Sequence, residues 1–181
     1  MKIIVIDPGH GGKDPGAVGG NRLYESVTNL AISKKLRDML GDTYDVRLTR
    51  DGDIYVPLKT RARMSDSWKA DIFISIHCNA AVNPKANGIE TLHYPSSIRG
   101  KKLSEDIYAG LILTTGRRGR GVKPRGNLTV LSATDAPACL IECGFVSNLE
   151  EEKLLRLDSY HELLCRGVKV GVDSYFRGGR K

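Results

Sequence analysis

Short apolar runs alternate with longer stretches of helical spacing along most of the chain. A β-branched run follows Lys2 and stops at Asp7-Pro8-Gly9, which predicts a buried strand over 2–6 and a tight turn. From Arg22 to Leu40 the apolar residues fall at Leu23, Val27, Leu30, Ile32, Leu36 and Leu40, a helical spacing that Gly41 can end. Residues 44–49 read as a second strand and 56–69 as a helix. Over 71–77, Ile72, Ile74 and Ile76 alternate with Phe73 and Ser75, the pattern of a central strand. A strand over 88–94 and a helix over 99–115 follow, the helix with Leu103, Ile107 and Leu111 on one face. Residues 128–131 and 139–143 read as two more strands, and 149–176 as helix in two pieces. This alternation predicts a single α/β domain with a largely parallel sheet of about six strands. Two segments fall outside the pattern: the glycine-rich stretch 9–20 and the basic stretch 116–126, both read as loops. The domain is expected over 1–176, with 177–181 as a tail or the start of a linker.

Composition narrows the class. With 181 residues, 40% of them apolar and 27% charged, the chain can bury one full core and is not a disordered or low-complexity sequence. The net charge of +7 points to a polyanionic partner, and leaves nucleic acid, anionic membrane and acidic cell-wall polymer open. No apolar run approaches the ~18–20 residues that span a bilayer. The amino-terminal run stops at Asp7, too soon for a signal-peptide core, so synthesis in the cytoplasm without a signal peptide is expected. Cys78, Cys139, Cys143 and Cys165 are sparse and irregularly spaced, which favours reduced thiols. Cys139 and Cys143, four apart on one strand face, read as core residues rather than metal ligands.

Ligands in α/β sheets bind at the carboxyl ends of strands, so polar residues there carry the chemical reading. Asp7 and His10 follow the first strand, His77 ends the third, Glu142 lies within the last, and Glu25 stands near the start of the first helix. Two imidazoles and a carboxylate with an open fourth position make a catalytic zinc arrangement, and a further carboxylate can act on water. Glu142 sits in the apolar run PACLIECGF, where a carboxylate needs a partner such as a cation. Glu25 has a plain alternative reading as a helix-dipole residue. His93 and His161 read as core histidines. Lys13 is followed by Asp14 rather than Ser or Thr, so no P-loop is present, and no Gly-x-Ser-x-Gly elbow occurs.

Six segments in order carry a family resemblance: IDPGHGGKDPGA at 6–17, LYESVTNLAI at 23–32, LTRDGD at 48–53, ADIFISIHCNA at 70–80, GIETL at 88–92 and PACLIECGFVSNLEE at 137–151. The chain resembles the zinc-dependent N-acetylmuramoyl-L-alanine amidases of sporulation, autolysis and phage endolysins. The resemblance implies a mixed, mostly parallel sheet flanked by helices on both faces, and one catalytic Zn2+ held by His10, Glu25 and His77, with Glu142 as the catalytic acid/base. It implies peptidoglycan as substrate, cleaved between the lactyl group of N-acetylmuramic acid and the L-alanine of the stem peptide. Asn79, Asn29, Glu90, Arg50 and Arg61 also match family positions. Glu90, Asn79 and Arg50 are expected beside the ligands or against substrate, and ion pairing is an equal reading for Arg50 and Arg61. Asp7 is expected to brace the glycine loop. The basic stretch 116–125 reads either as a mobile rim loop touching the polymer or as a solvated loop.

Wall binding would then explain the charge, with teichoic acid as a partner for the basic surface and no nucleic-acid or membrane partner. The protein is expected to be a monomer that reaches the wall after release by a phage holin or mother-cell lysis. Two alternatives stand beside this reading: another zinc peptidase or deacetylase on a similar fold, and a non-catalytic basic module. The second would leave His10, Glu25, His77 and Glu142 without a role.

Overall fold

In the computed structural model, which describes residues 1–178, six strands form one sheet. They are β1 (Ile3–Pro8), β2 (Asp45–Leu48), β3 (Ile72–Asn79), β4 (Ile89–His93), β5 (Gly119–Pro124) and β6 (Ala138–Phe145). Their order across the sheet is β2-β1-β3-β6-β4-β5. Strands β2, β1, β3 and β6 run parallel, β4 is antiparallel to β6, and β5 is parallel to β4. The helices are α1 (Glu25–Leu40), α2 (Leu58–Ser67), α3 (Ile98–Thr115), α4 (Thr129–Ser132), α5 (Leu149–Leu155) and α6 (Asp158–Gly178). Among the described residues, no helix is long and apolar enough to cross a membrane.

The period-2 alternation of the strands divides the core into two unequal layers. Ile4, Ile6, Ile72, Ile74, Ile76, Cys139, Ile141 and Cys143 point to one face, where they pack with residues of α1, α3, α5 and α6 in the larger cluster. Val5, Phe73, Leu92 and Leu140 point to the other face, and only the smaller cluster with Val130, Leu131 and Trp68 covers them. The same parity places Asp7, Ser75, His77, Glu90 and Glu142 on this thinly covered face. Cys139 and Cys143 are indeed fully buried apolar fillers.

Two expected segments differ. Residues 128–131 are not a strand: Leu128 precedes the single helical turn of α4, and Val130 and Leu131 bury into the smaller cluster. A four-residue apolar run carries no period long enough to separate strand from helical turn. The basic stretch 116–126 is not a mobile loop, because Gly119–Pro124 forms β5 at the sheet edge, beside β4. Its charges hide the strand from a hydrophobic pattern, and charged edge strands also resist pairing with other chains. Helix α6 runs through Gly178, into the segment expected as a tail or linker. Residues 179–181 of that expectation lie outside the described residues.

Candidate metal centre and catalytic carboxylate

The tight turn after β1 delivers His10, and its backbone is held in an unusual state. His10 has φ 60°, a left-handed conformation that only surrounding structure can impose on a non-glycine residue. Two buried arginines supply that structure. Arg61 donates to the carbonyls of Pro8 (2.6 Å), His10 (2.7 Å) and Val56 (2.8 Å), and to Asp7 Oδ1 (2.8 Å). Arg50 donates to the carbonyls of Pro8, Gly9, Ser26 and Gly52. Asp7, 1% exposed, also accepts from Thr49 and Ser75. Asp7 thus braces the loop through Arg61. Both arginines are 2% exposed and donate to groups of the protein itself.

Glycine is required where the loop meets the ligands. A Cβ on Gly9 would lie 2.3 Å from the His77 ring. Gly16, at φ +67°, would place one 2.7 Å from Glu25 Oε2 and 2.8 Å from the His10 ring.

Glu25 is the first residue of α1 and is buried beneath both histidines. Its Oε1 lies 3.2 Å from His10 Nε2 and 3.0 Å from His77 Nδ1. The backbone amides of Cys78 and Ala17 donate to its two oxygens, and Asn29 reaches Oε1 at 3.4 Å. The ligand atoms of His10, Glu25 and His77 all fall within 4.8 Å of one another, and among the described residues this is the one His/Cys/Asp/Glu group that could hold a metal ion. Burial pushes the Glu25 carboxyl up, but hydrogen bonds from both imidazoles outweigh it and hold the group well below the usual carboxylate range. The same bond with Glu25 pushes His10 up to about 9, against burial and with help from Asp14. Two imidazoles and one carboxylate suit zinc, and both imidazoles line a cavity.

Asp14 is the residue that sequence reasoning missed. Its Oδ2 lies 2.9 Å from His10 Nδ1, so it fixes which ring nitrogen faces Glu25. The signal was a carboxylate four residues after His10, within the segment that carries the resemblance.

Across the sheet, His77 on β3 is the register partner of Glu142 on β6, and Glu142 is the partner of Glu90 on β4. These three form a row on the thinly covered face. Glu142 Oε2 is buried and accepts no hydrogen bond from any described residue. Burial, then the charges of Glu25 and Glu90, raise the Glu142 carboxyl well above its ordinary value. Glu90 has the opposite surroundings. Burial works to raise it, but Lys123 Nζ at 2.5 Å and Arg120 Nε at 2.9 Å prevail and lower it. Asn79 Nδ2 donates to the other Glu90 oxygen at 3.3 Å. The basic stretch is therefore largely committed inward: Arg120 and Lys123 to Glu90, and Arg117 to buried Glu151. Arg118 and Arg125 are exposed. His93 and His161 take no part; each points a ring nitrogen at a backbone carbonyl.

Known proteins match along nearly the whole chain. The family model of the N-acetylmuramoyl-L-alanine amidases covers residues 4–174. An endolysin of Bacillus phage SPP1 is 38% identical over 94% of this chain and 65% of its own length. The sporulation-specific N-acetylmuramoyl-L-alanine amidase of Bacillus subtilis is 35% identical over 97% of this chain and 69% of its own. The solved catalytic domain of CwlV, an N-acetylmuramoyl-L-alanine amidase from Bacillus (Paenibacillus) polymyxa, superposes with a TM-score of 0.93 at 36% identity, covering 98% of this chain and 99% of that domain. The chain spans a little under two thirds of the phage endolysin.

Proposed function

This chain belongs to the N-acetylmuramoyl-L-alanine amidase family, a family of hydrolases, and we propose that it cleaves the amide between the lactyl group of N-acetylmuramic acid and the L-alanine of the stem peptide in a zinc-dependent reaction. The observation that carries the zinc reading is the convergence of His10, Glu25 and His77 beside a carboxyl oxygen of Glu142 that is buried without a partner.

His10 Nε2, Glu25 and His77 Nδ1 would hold Zn2+, which would supply Lewis acidity toward the carbonyl and toward water. The protein's own work is to orient ligands and move a proton. Asp14 keeps the His10 Nδ1 proton and leaves Nε2 free to ligate. The Cys78 and Ala17 amides hold the Glu25 carboxylate in place. Glu142 takes a proton from the attacking water and returns it to the alanine nitrogen, because an amide nitrogen leaves only when protonated. Repeated along a wall, this cleavage detaches peptide cross-links from glycan and leads to lysis.

The test is product analysis on purified cell walls. New L-alanine amino termini should appear with the native protein, vanish after complete chelation and return with added Zn2+. Release that persists without metal, or release of a different terminus, would overturn the proposal. The net charge of +7 supports attraction to anionic wall polymers such as teichoic acid. Co-sedimentation with walls should weaken as salt rises, and salt-independent binding would refute that part.

A further inference from the structure

The two flanks of the candidate centre differ in chemistry, and the sheet order fixes which lies where. On the β1 side, a cavity of about 190 Å³ is lined by His10, Asp14, His77, Tyr55, Val56 and Leu58, among others. The segment forming this wall exposes three large apolar residues close together: Ile54 (56%), Tyr55 (43%) and Leu58 (54%). Apolar side chains exposed together beside this cavity offer a surface to a ligand that enters it. Lys13 Nζ lies 4.6 Å from the Tyr55 ring centroid, a cation–π contact that restrains the ring.

On the β4–β5 side, beyond Glu142, the surface is cationic. Arg120 and Lys123, with side chains 28% and 32% exposed, share the single carboxylate Glu90. Two cations facing one anion leave one positive charge for an incoming ligand. Arg120 is further fixed by stacking over Phe145 at 4.8 Å, so it is placed in advance of binding.

The amide described under Proposed function is asymmetric in the same way. Its acyl side is a sugar with apolar C–H faces and no obligatory charge. Its amine side is a peptide bearing carboxylates. We propose, resting on that reading of the reaction, that the substrate lies across the sheet edge in one direction. Its muramoyl sugar covers the Tyr55 flank, and a stem-peptide carboxylate pairs with Lys123 and Arg120. Tyr55 and Lys123 are then specificity-determining residues, and the protein prefers a stem whose second residue keeps a free α-carboxylate over one where it is a carboxamide.

The test uses two soluble muramoyl pentapeptides that differ only in that carboxylate or carboxamide, with the full chain loaded with Zn2+. The native protein should favour the acid by roughly fivefold in kcat/KM, the worth of a partly exposed charge pair. Lys123→Gln should bring that ratio close to one, and Lys123→Arg should restore it. Tyr55→Ala should lower kcat/KM for both substrates by roughly fivefold and leave their ratio unchanged, as loss of an aromatic contact does. Both positions are exposed enough for the variants to fold, which circular dichroism and metal content check. A native ratio of one, an unchanged ratio in Lys123→Gln, no effect of Tyr55→Ala, or an altered ratio in Tyr55→Ala each overturns the orientation. Failure of the native protein to free L-alanine amino termini from either substrate refutes the amidase reading instead.

Discussion

Glu90 on β4 stands directly across from Glu142 on β6, two carboxylates on one face of the sheet with opposite surroundings. Glu90 is neutralised by Arg120 and Lys123, whereas Glu142 keeps one oxygen buried and unpartnered. Paired acids whose environments drive them apart divide structural and catalytic work. Glu142→Gln should therefore lower kcat by about 10²–10⁴-fold while Zn2+ content stays at one per chain. Activity close to native would remove Glu142 from the mechanism.

Glu90 gives a pH dependence with a definite sign. Its carboxyl is lowered in the folded protein, so it contributes stability that is present above the unfolded value near ~4.3 and lost as pH falls through the lower folded value. Melting temperatures measured between about pH 3 and pH 7 should fall less steeply on the acid side for Glu90→Gln than for the native chain. Parallel curves would mean that the ion pairs with Arg120 and Lys123 contribute nothing.

Metal binding should compete with protons at His10. That imidazole is raised to about 9 in the metal-free protein by its bond to Glu25, so its protonated form stabilises the fold fully below about 6.5 and loses that contribution as pH rises through about 9. A metal ion must displace this proton. Zn2+ affinity should thus increase with pH up to about 9, and calorimetry in buffers of different ionisation enthalpy should report proton release on binding. His10→Ala and His77→Ala should each lose bound zinc without losing the melting transition.

Asp14 is half exposed, and its one ring contact is His10. Asp14→Ala should lower Zn2+ affinity by about 10–100-fold through loss of ring orientation, with stability almost unchanged. Competition with a chelator of known affinity measures this, and unaltered affinity would make the contact incidental.

Arg61 and Asp7 form a buried pair at 2.8 Å beneath the glycine loop. Arg61→Met leaves Asp7 charged and unpaired in the interior, which should destabilise the fold by about 3–5 kcal/mol in urea unfolding. The double variant Arg61→Met/Asp7→Asn should recover part of that loss, and strict additivity would argue against coupling.

The elements with strong periodicity were legible in the chain: Ile72, Ile74 and Ile76 alternate as a buried strand must, and Leu23 to Leu40 repeats as a helix does. The ligand candidates could also be named there, because glycines around His10 and a carboxylate inside an apolar strand are physically expensive without a use. The residues 128–131 and 119–124 were misread for a shared reason. Their conformation is decided by what lies beside them, a core layer for Val130 and Leu131 and the edge of β4 for the charged strand β5. Tertiary structure alone could show that Arg120 and Lys123 pair with Glu90, that Arg50 and Arg61 clasp the carbonyls around His10, and that Asp14 turns its ring. Such contacts join residues distant in sequence or depend on a backbone held at φ 60°, and neither leaves a periodic trace. The sequence by itself determined the layers of this protein and the kinds of atoms at its centre. The fold decided which of those atoms meet, because strand order and register bring His77, Glu142 and Glu90 into one row.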